Sequence, residues 1–333
     1  MKAAQLEKYA KNYQLVVNNI PIPAINENEV LVRVKVAAVN PLENLIGSGS
    51  LRLLQNYSLP QTMGNEITGI VEKIGSNVRA INVGDKVYSR LPMQTIGGFA
   101  EYVAVDANAI SLLPANLDFV SGAAAALTGL TAYQGLREEL KAKSGQTVFI
   151  PGGSGSFGQM AIPIAKNMGL TVIVSGSAAA KERTLAIGAD QYLDFKRENY
   201  WEVLKDVDFV IDTRGPNEID HELSIIKPGG RLLSLIAGPN KRFAVDHHLS
   251  WMKRMLFGFA GRKFDKQAAE KDVEYHFIFV RSSGTQLAAL TKIIEANRII
   301  PAIDATEFHI EDINEAIKLV TSGHPKGKVV IKF

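Results

Sequence analysis

The stretch Pro151-Gly152-Gly153-Ser154-Gly155-Ser156-Phe157-Gly158 has the residue types and spacing that hold a pyrophosphate. Gly152 or Gly153 permits a tight turn, Gly155 lets the backbone approach a phosphate, and Gly158 allows close helix–strand packing. N–H groups free at a helix start would then point at the anion. A glycine-rich loop without a ligand is the plain alternative, and the flanks decide against it. Thr147-Val148-Phe149-Ile150 reads as a buried strand, Gln159 to Met168 as a helix, and Thr171 to Val174 as a second strand. Strand, glycine turn, helix and strand form one βαβ unit, which reads as a dinucleotide site. Pro163 fits this helix badly and is expected to bend or open it.

The end of the second strand separates one cofactor from another. An NAD site carries Asp or Glu about 20 residues past the glycines to bind the ribose 2′-OH. Ser175-Gly176-Ser177 stands there instead, followed by Lys181 and Arg183. Nothing in that triplet repels a 2′-phosphate, and two cations are available to meet one. A solvated helix face is the bland reading of those cations, and Ser177 also suits a helix cap. The two signals agree on NADPH.

The elements that must position this loop come from the rest of the chain. Its 333 residues are enough for two domains. A net charge of +3 without a dense Lys/Arg run argues against a nucleic-acid role. With no cysteine, disulfides, thiolate zinc sites and a cysteine nucleophile are excluded. Met1-Lys2-Ala3-Ala4-Gln5 leads into polar sequence, and no apolar run is long enough to span a bilayer, so a cytoplasmic protein is expected.

Residues 1 to about 115 read as β-rich. Val30 to Val36 alternates apolar residues with Arg33 and Lys35, Ile67 to Ile74 is another strand, and Phe99 to Val105 alternates again. Leu42 to Tyr57 breaks the rhythm as a loop with some helix. From Asp118, a helix cap, the pattern turns helical to Leu140. After the βαβ unit come a helix from Ala179 to Ile187, a strand from Val207 to Asp212, a helix from Pro216 to Ile226, a strand from Arg231 to Ile236 and a strand from His276 to Val280. Such alternation predicts a doubly wound parallel sheet. A long helix, a second helix and a closing strand from Lys328 to Phe333 are expected to return to the first domain. The fold class is therefore α/β, a Rossmann-type sheet (residues 120–283) inserted into a β-rich domain (1–119 and 284–333).

This layout and its motifs resemble the medium-chain dehydrogenase/reductase superfamily, most closely the zinc-independent, quinone-oxidoreductase-like branch. The blocks that carry the resemblance are Val39-Asn40-Pro41, Gly64-Asn65-Glu66-Ile67-Thr68-Gly69-Ile70-Val71, Val83-Gly84-Asp85-Lys86-Val87, Gly97 to Tyr102, Leu127 to Tyr133, Gly152 to Gly158 and Lys326 to Val330. The resemblance implies that the first domain is GroES-like. Zinc-dependent relatives ligate their metal with Cys and with a His beside the signature Glu. Asn40 and Asn65 stand at those positions, and Glu66 alone cannot hold zinc, so no metal is expected. The six histidines, His221, His247, His248, His276, His309 and His324, are expected to be satisfied or exposed.

The resemblance also implies site roles. Asn40 and Thr131 lie near the nicotinamide or its neighbouring groups. Ser154, Gly155, Ser156 and Phe157 line the phosphates, between Gly152 and Gly158. Ser177 and Lys181 meet the 2′-phosphate, although the family's basic residue is usually one place earlier, at Ala180. Thr213, Ala237 and Phe279 flank the ribose and nicotinamide. Phe195 replaces a tyrosine often found after the third strand. The expected activity is NADPH-dependent, zinc-independent reduction of quinones or α,β-unsaturated carbonyls. Tyr57 is the first choice of proton donor, with water as the alternative. The partners expected are a small electrophilic substrate and, for assembly, a second copy of the chain as a homodimer, with no nucleic acid and no membrane. The rival reading is a low-turnover dinucleotide-binding protein with a redox-sensing or interaction role.

Overall fold

The computed structural model describes residues 1–323 and 325–333, and His324 lies outside them. The chain forms two compact units, Met1–Leu130 with Arg281–Phe333, and Thr131–Val280. The first boundary falls later than the expected residue 119. The reason is the helix Phe119–Ala123, which packs on the strands Glu29–Ala38 and Glu66–Ile74. Asp118 caps that helix through a hydrogen bond from the Ser121 N–H.

The first unit is built on the ten-residue strand Glu29–Ala38. Val30, Val32, Val34 and Val36 point into the core, and Arg33 and Lys35 are half-buried, as their alternation predicted. Glu66–Ile74 pairs antiparallel along one side of it. Tyr102–Asp106 and Val330–Lys332 share the other side, so a strand much later in the chain joins the same sheet. Lys86–Arg90 then pairs with Glu66–Ile74 and places Arg90 opposite Glu66. Pro41–Gly47 is a short helix with proline at its first position, where no N–H is needed.

The second unit is a six-stranded parallel sheet in the order Gln191–Asp194, Thr171–Gly176, Thr147–Ile150, Val207–Asp212, Ile226–Ser234, Glu274–Phe277. Its strands are buried on both faces, and Phe149, Val210, Leu232 and Tyr275 share one core. The glycine loop leaves the carboxyl end of Thr147–Ile150, the strand at which the winding order reverses, and that is where α/β sheets bind ligands.

Some element limits differ from the sequence reading. Residues 216–226 contain only the short helix Ile219–Ser224, and the next strand already starts at Ile226. Gly229 and Gly230 sit inside this strand, not before it. Gly229 has φ +78°, and a Cβ on Gly230 would lie 2.7 Å from the Asp208 carbonyl, so the glycines form a strand irregularity. The last strand of the sheet is Glu274–Phe277 rather than His276 to Val280. Three helices, Lys241–Asp246, Trp251–Ala260 and Arg262–Ala269, fill a stretch with no clear sequence signal. Trp251, Met255 and Phe259 in the middle helix face outward, which masks its amphipathic pattern. The helix Ser156–Asn167 continues through Pro163, which is buried.

Candidate functional site

In the second unit the loop is held from both sides. The Gly152 N–H donates to Ser175 Oγ at 3.3 Å, and Thr213 Oγ1 donates to the Pro151 carbonyl at 2.5 Å. Thus one hydroxyl comes from the strand on one side of Thr147–Ile150 and one from the turn just after the strand on the other side. Gly152 has φ +67°, so it is the glycine that makes the turn. Gly155 is the residue before the helix Ser156–Asn167, in extended conformation with no side-chain cap. It is exposed, and a Cβ built on it meets nothing nearer than the Gly152 carbonyl at 3.7 Å. Gly158 differs: its Cβ would lie 1.7 Å from the Gly153 carbonyl. Its close packing is therefore against the loop backbone rather than the strand. A twelve-residue helix whose first turn has no side-chain cap, beside an open backbone surface, fits a pyrophosphate.

The edge of this cradle holds Ser154, Ser177, Arg183 and Tyr192. Tyr192 Oη donates to the Ser177 carbonyl at 2.7 Å. Arg183 Nη2 donates to the Ser154 carbonyl at 3.2 Å. A Cβ on Gly176 would collide with Tyr192 Oη and Ser154 Oγ, so these groups crowd one spot. Lys181 is exposed at the start of Lys181–Ala186, and it is Arg183 that reaches the loop. Tyr192 was missed in the sequence. Its signal was there, as the aromatic residue of the third strand, three places before the exposed Phe195.

Thr213 and Ala237 follow neighbouring strands, and one carboxylate organises both turns. Asp212 accepts from the Arg214 and Gly215 N–H groups at 2.6 and 2.7 Å, and from Ser234 Oγ at 2.6 Å. Ser234 Oγ in turn accepts from the Ala237 N–H at 2.8 Å. Behind Asp212 lies the buried Glu222, whose carboxyl is pushed up to about 10 by burial and by the Asp212 charge. Thr131 is buried at the start of this unit, and Phe279 is half-buried just past its last strand.

In the first unit, Asn40 and Asn65 join a sealed polar cluster with Glu43, Glu66 and Lys328. Asn40 Nδ2 donates to Asn65 Oδ1 at 3.3 Å and to Glu66 Oε2 at 3.2 Å. Lys328 Nζ donates to Asn40 Oδ1 at 2.6 Å and pairs with Glu66 Oε2 at 2.8 Å. Glu66 Oε1 accepts the Leu127 N–H at 2.6 Å. Glu43 accepts the Asn40 N–H at 2.6 Å and Asn65 Nδ2 at 2.5 Å. Glu43 and Glu66 are fully buried, and Lys328 is 4% exposed. Burial pushes Glu43 up to about 8 against these hydrogen bonds, so it is largely uncharged at neutral pH. Among the described residues, no group of three or more His, Cys, Asp or Glu is placed to hold a metal. The donor chemistry at Asn40, Asn65 and Glu66 does not fit catalytic zinc: two are amides, and the one carboxylate already holds an ammonium.

Tyr57 lies in the same unit with its hydroxyl committed. Tyr57 Oη donates to the Met93 carbonyl at 2.6 Å, the side chain is buried, and burial raises its pKa. As placed, it is a packing tyrosine with a satisfied hydroxyl. Tyr57→Phe is expected to change kcat by less than about threefold, because the hydroxyl is not free to donate elsewhere. A loss of a hundredfold or more, measured with an unchanged melting temperature, would restore Tyr57 as proton donor.

Two family models match the chain. One, described as alcohol dehydrogenase GroES-like domain, covers residues 26–115, and the other, described as zinc-binding dehydrogenase, covers residues 187–331. The human quinone oxidoreductase is 30% identical over 296 residues, covering 85% of this chain and 88% of that protein. The chloroplastic NADPH-dependent alkenal/one oxidoreductase of Arabidopsis thaliana is 28% identical over 327 residues, 94% of this chain and 74% of that one. The solved quinone oxidoreductase from Coxiella burnetii superposes with a TM-score of 0.82 at 26% identity, covering 100% of this chain and 99% of that one. Among the described residues no helix is long and apolar enough to cross a membrane. With a parallel sheet carrying the glycine loop, and a β-rich unit matched as GroES-like, the chain belongs to the quinone-oxidoreductase-like family of the medium-chain dehydrogenase/reductase superfamily.

Proposed function

We propose that the protein is an NADPH-dependent reductase of quinones or α,β-unsaturated carbonyl compounds that works without zinc. The observation that carries this reading is the Lys328 ammonium bound to Asn40 and Glu66. A resident cation there leaves no room for a Lewis acid that polarises an alcohol oxygen. Conjugated substrates are the ones that accept hydride without it. The names of the Arabidopsis and human relatives support this substrate class, and the first supports NADPH. They disfavour the rival reading of a binding protein with little turnover. A cytoplasmic location and a homodimeric assembly belong to the same proposal.

When bound, the reduced nicotinamide supplies the hydride. The chain supplies everything that orients and shields the reactants. The backbone from Gly152 to Gly158, with Ser154, Ser156 and Phe157, would hold the pyrophosphate. Ser177, Lys181, Arg183 and Tyr192 would surround the 2′-phosphate. Asp212 and Ser234 fix the turns that carry Thr213 and Ala237, which would flank the ribose and nicotinamide with Thr131 and Phe279. Asn40 would lie by the nicotinamide, its amide locked by Lys328 and Glu66. Water delivers the final proton, since the Tyr57 hydroxyl is occupied.

Fluorescence titration with both reduced cofactors tests the reading. NADPH is expected to bind at least about tenfold more tightly than NADH, the scale of one charge-assisted contact. Lys181→Ala and Arg183→Ala should each weaken NADPH and leave NADH nearly unchanged. Equal affinities, or a preference for NADH, would overturn the NADPH assignment.

A further inference from the structure

Arg90 ends the strand Lys86–Arg90, opposite Glu66, and is 1% exposed. Its Nη1 donates to the Leu91 carbonyl at 2.6 Å and to Ser282 Oγ at 3.3 Å. Nε and Nη2 are sealed from water and have no partner among the described residues. A guanidinium offers five N–H donors, so three of them face inward unmatched. Buried donors are almost always paired, and each exception calls for an explanation, a catalytic role among them.

Three neighbours act on the Arg90 charge: Tyr57, Glu66 and Glu43. Each is committed elsewhere. Tyr57 Oη donates to Met93. Glu66 is filled by Leu127, Asn40 and Lys328. Glu43 is filled by Asn40 and Asn65 and is largely uncharged at neutral pH. Burial lowers the Arg90 pKa only to about 10, so the group stays cationic. Arg90 is thus a cation beside carboxylates whose oxygens are bound by other groups. Among the described residues, no oxygen acceptor meets its Nε or Nη2.

We propose that the Arg90 guanidinium is an oxyanion site that receives the substrate's carbonyl oxygen as negative charge develops on it. This inference rests on the reductase reading above. Hydride addition to the β-carbon of an enone forms a C–H bond and breaks the Cα–Cβ π bond. That electron pair moves to form the enolate, and the carbonyl π pair ends on oxygen as O⁻. Arg90 Nε and Nη2 donate to this oxygen. Water then protonates Cα, the C=O re-forms, and the hydroxide left behind takes a proton from solvent. The sum is enone plus NADPH plus one proton, giving saturated ketone plus NADP⁺. Once the oxygen has entered, a dry guanidinium facing the developing charge does the work that a Lewis acid does in metal-dependent sites. Because both nitrogens are sealed, entry of the oxygen must displace a neighbouring side chain.

4-Nitrophenol is a stable probe, since its anion is coloured and resembles an enolate. Bound to the wild-type protein, it is expected to ionise with a pKa lower by about one unit or more than in water. Arg90→Met should abolish the shift, and Arg90→Lys should keep part of it. Circular dichroism and melting temperature report folding. A wild-type protein that binds no phenolate overturns the proposal without any variant, and so does a folded Arg90→Met protein with the wild-type shift. A shift abolished equally by phosphate or chloride in the wild type would mean a site for an adventitious anion only, and would also overturn it. The two readings fail separately. A phenolate site that depends on Arg90, in a protein that reduces no quinone or enal, removes the reductase reading alone. Turnover in Arg90→Met within about threefold of wild type removes the oxyanion role alone.

Discussion

A valine at Gly155 is expected to give a folded protein that no longer binds dinucleotide, whereas an alanine at Gly158 is expected to disrupt the second unit. The two residues are three apart in one glycine motif, Gly155 just before the helix Ser156–Asn167 and Gly158 in its first turn. Their surroundings separate them. Gly155 has φ −80°, which any residue adopts, and a Cβ there meets only the Gly152 carbonyl at 3.7 Å. The protein therefore tolerates the side chain, apart from about 1 kcal/mol for a poor helix cap. The open space is the space a phosphate oxygen needs, so affinity for NADPH should fall by about 100-fold or more. The Cβ of Gly158 would overlap the Gly153 carbonyl at 1.7 Å, a backbone collision that no rotamer relieves. That should exceed the ~1–3 kcal/mol of ordinary overpacking. Melting temperature, circular dichroism and an NADPH titration on both variants check the pair. A folded Gly155→Val protein that binds normally would show that the loop is not a phosphate cradle.

Lys328→Met should destabilise the first unit by about 3–5 kcal/mol, the scale for leaving one member of a buried ion pair alone. Glu66 would stay buried with its Leu127 and Asn40 hydrogen bonds but without a cation at 2.8 Å. Adding Glu66→Gln to Lys328→Met should recover much of that loss, because the unpaired charge disappears with it. The check is denaturant unfolding of the two single variants and the double variant. Additive losses would mean that Lys328 and Glu66 do not act as a pair.

Local backbone demands explain what was legible in the sequence. Gly152 and Gly158 sit where a left-handed turn or a backbone contact excludes other residues, so glycine spacing after a strand located the loop. The alternation from Val30 to Val36 located the main strand of the first unit, since its wet face carries Arg33 and Lys35. Long-range pairing was not legible. Lys328 reaches Asn40 across 288 residues, and nothing in either local stretch announces the partner. Arg90 ends the short strand Lys86–Arg90, and an arginine at a strand end ordinarily extends to water, so its burial had no signal. Tyr57 was singled out for its chemistry, but only the Met93 carbonyl shows where its hydroxyl goes. The strand Ile226–Ser234 was expected to begin at Arg231, because the glycines before it interrupt the apolar pattern, while Gly229-Gly230 is an irregularity within the strand.

The central claim is a zinc-free hydride transfer to conjugated acceptors. Its most direct test is NADPH oxidation followed at 340 nm with a panel of quinones, enals and simple alcohol–ketone pairs, in the presence of EDTA. Turnover is expected with members of the first two classes, none with the third, and rates unchanged by the chelator. Chelator-sensitive turnover together with stoichiometric zinc, or oxidation of simple alcohols in preference to reduction of the conjugated compounds, would contradict it.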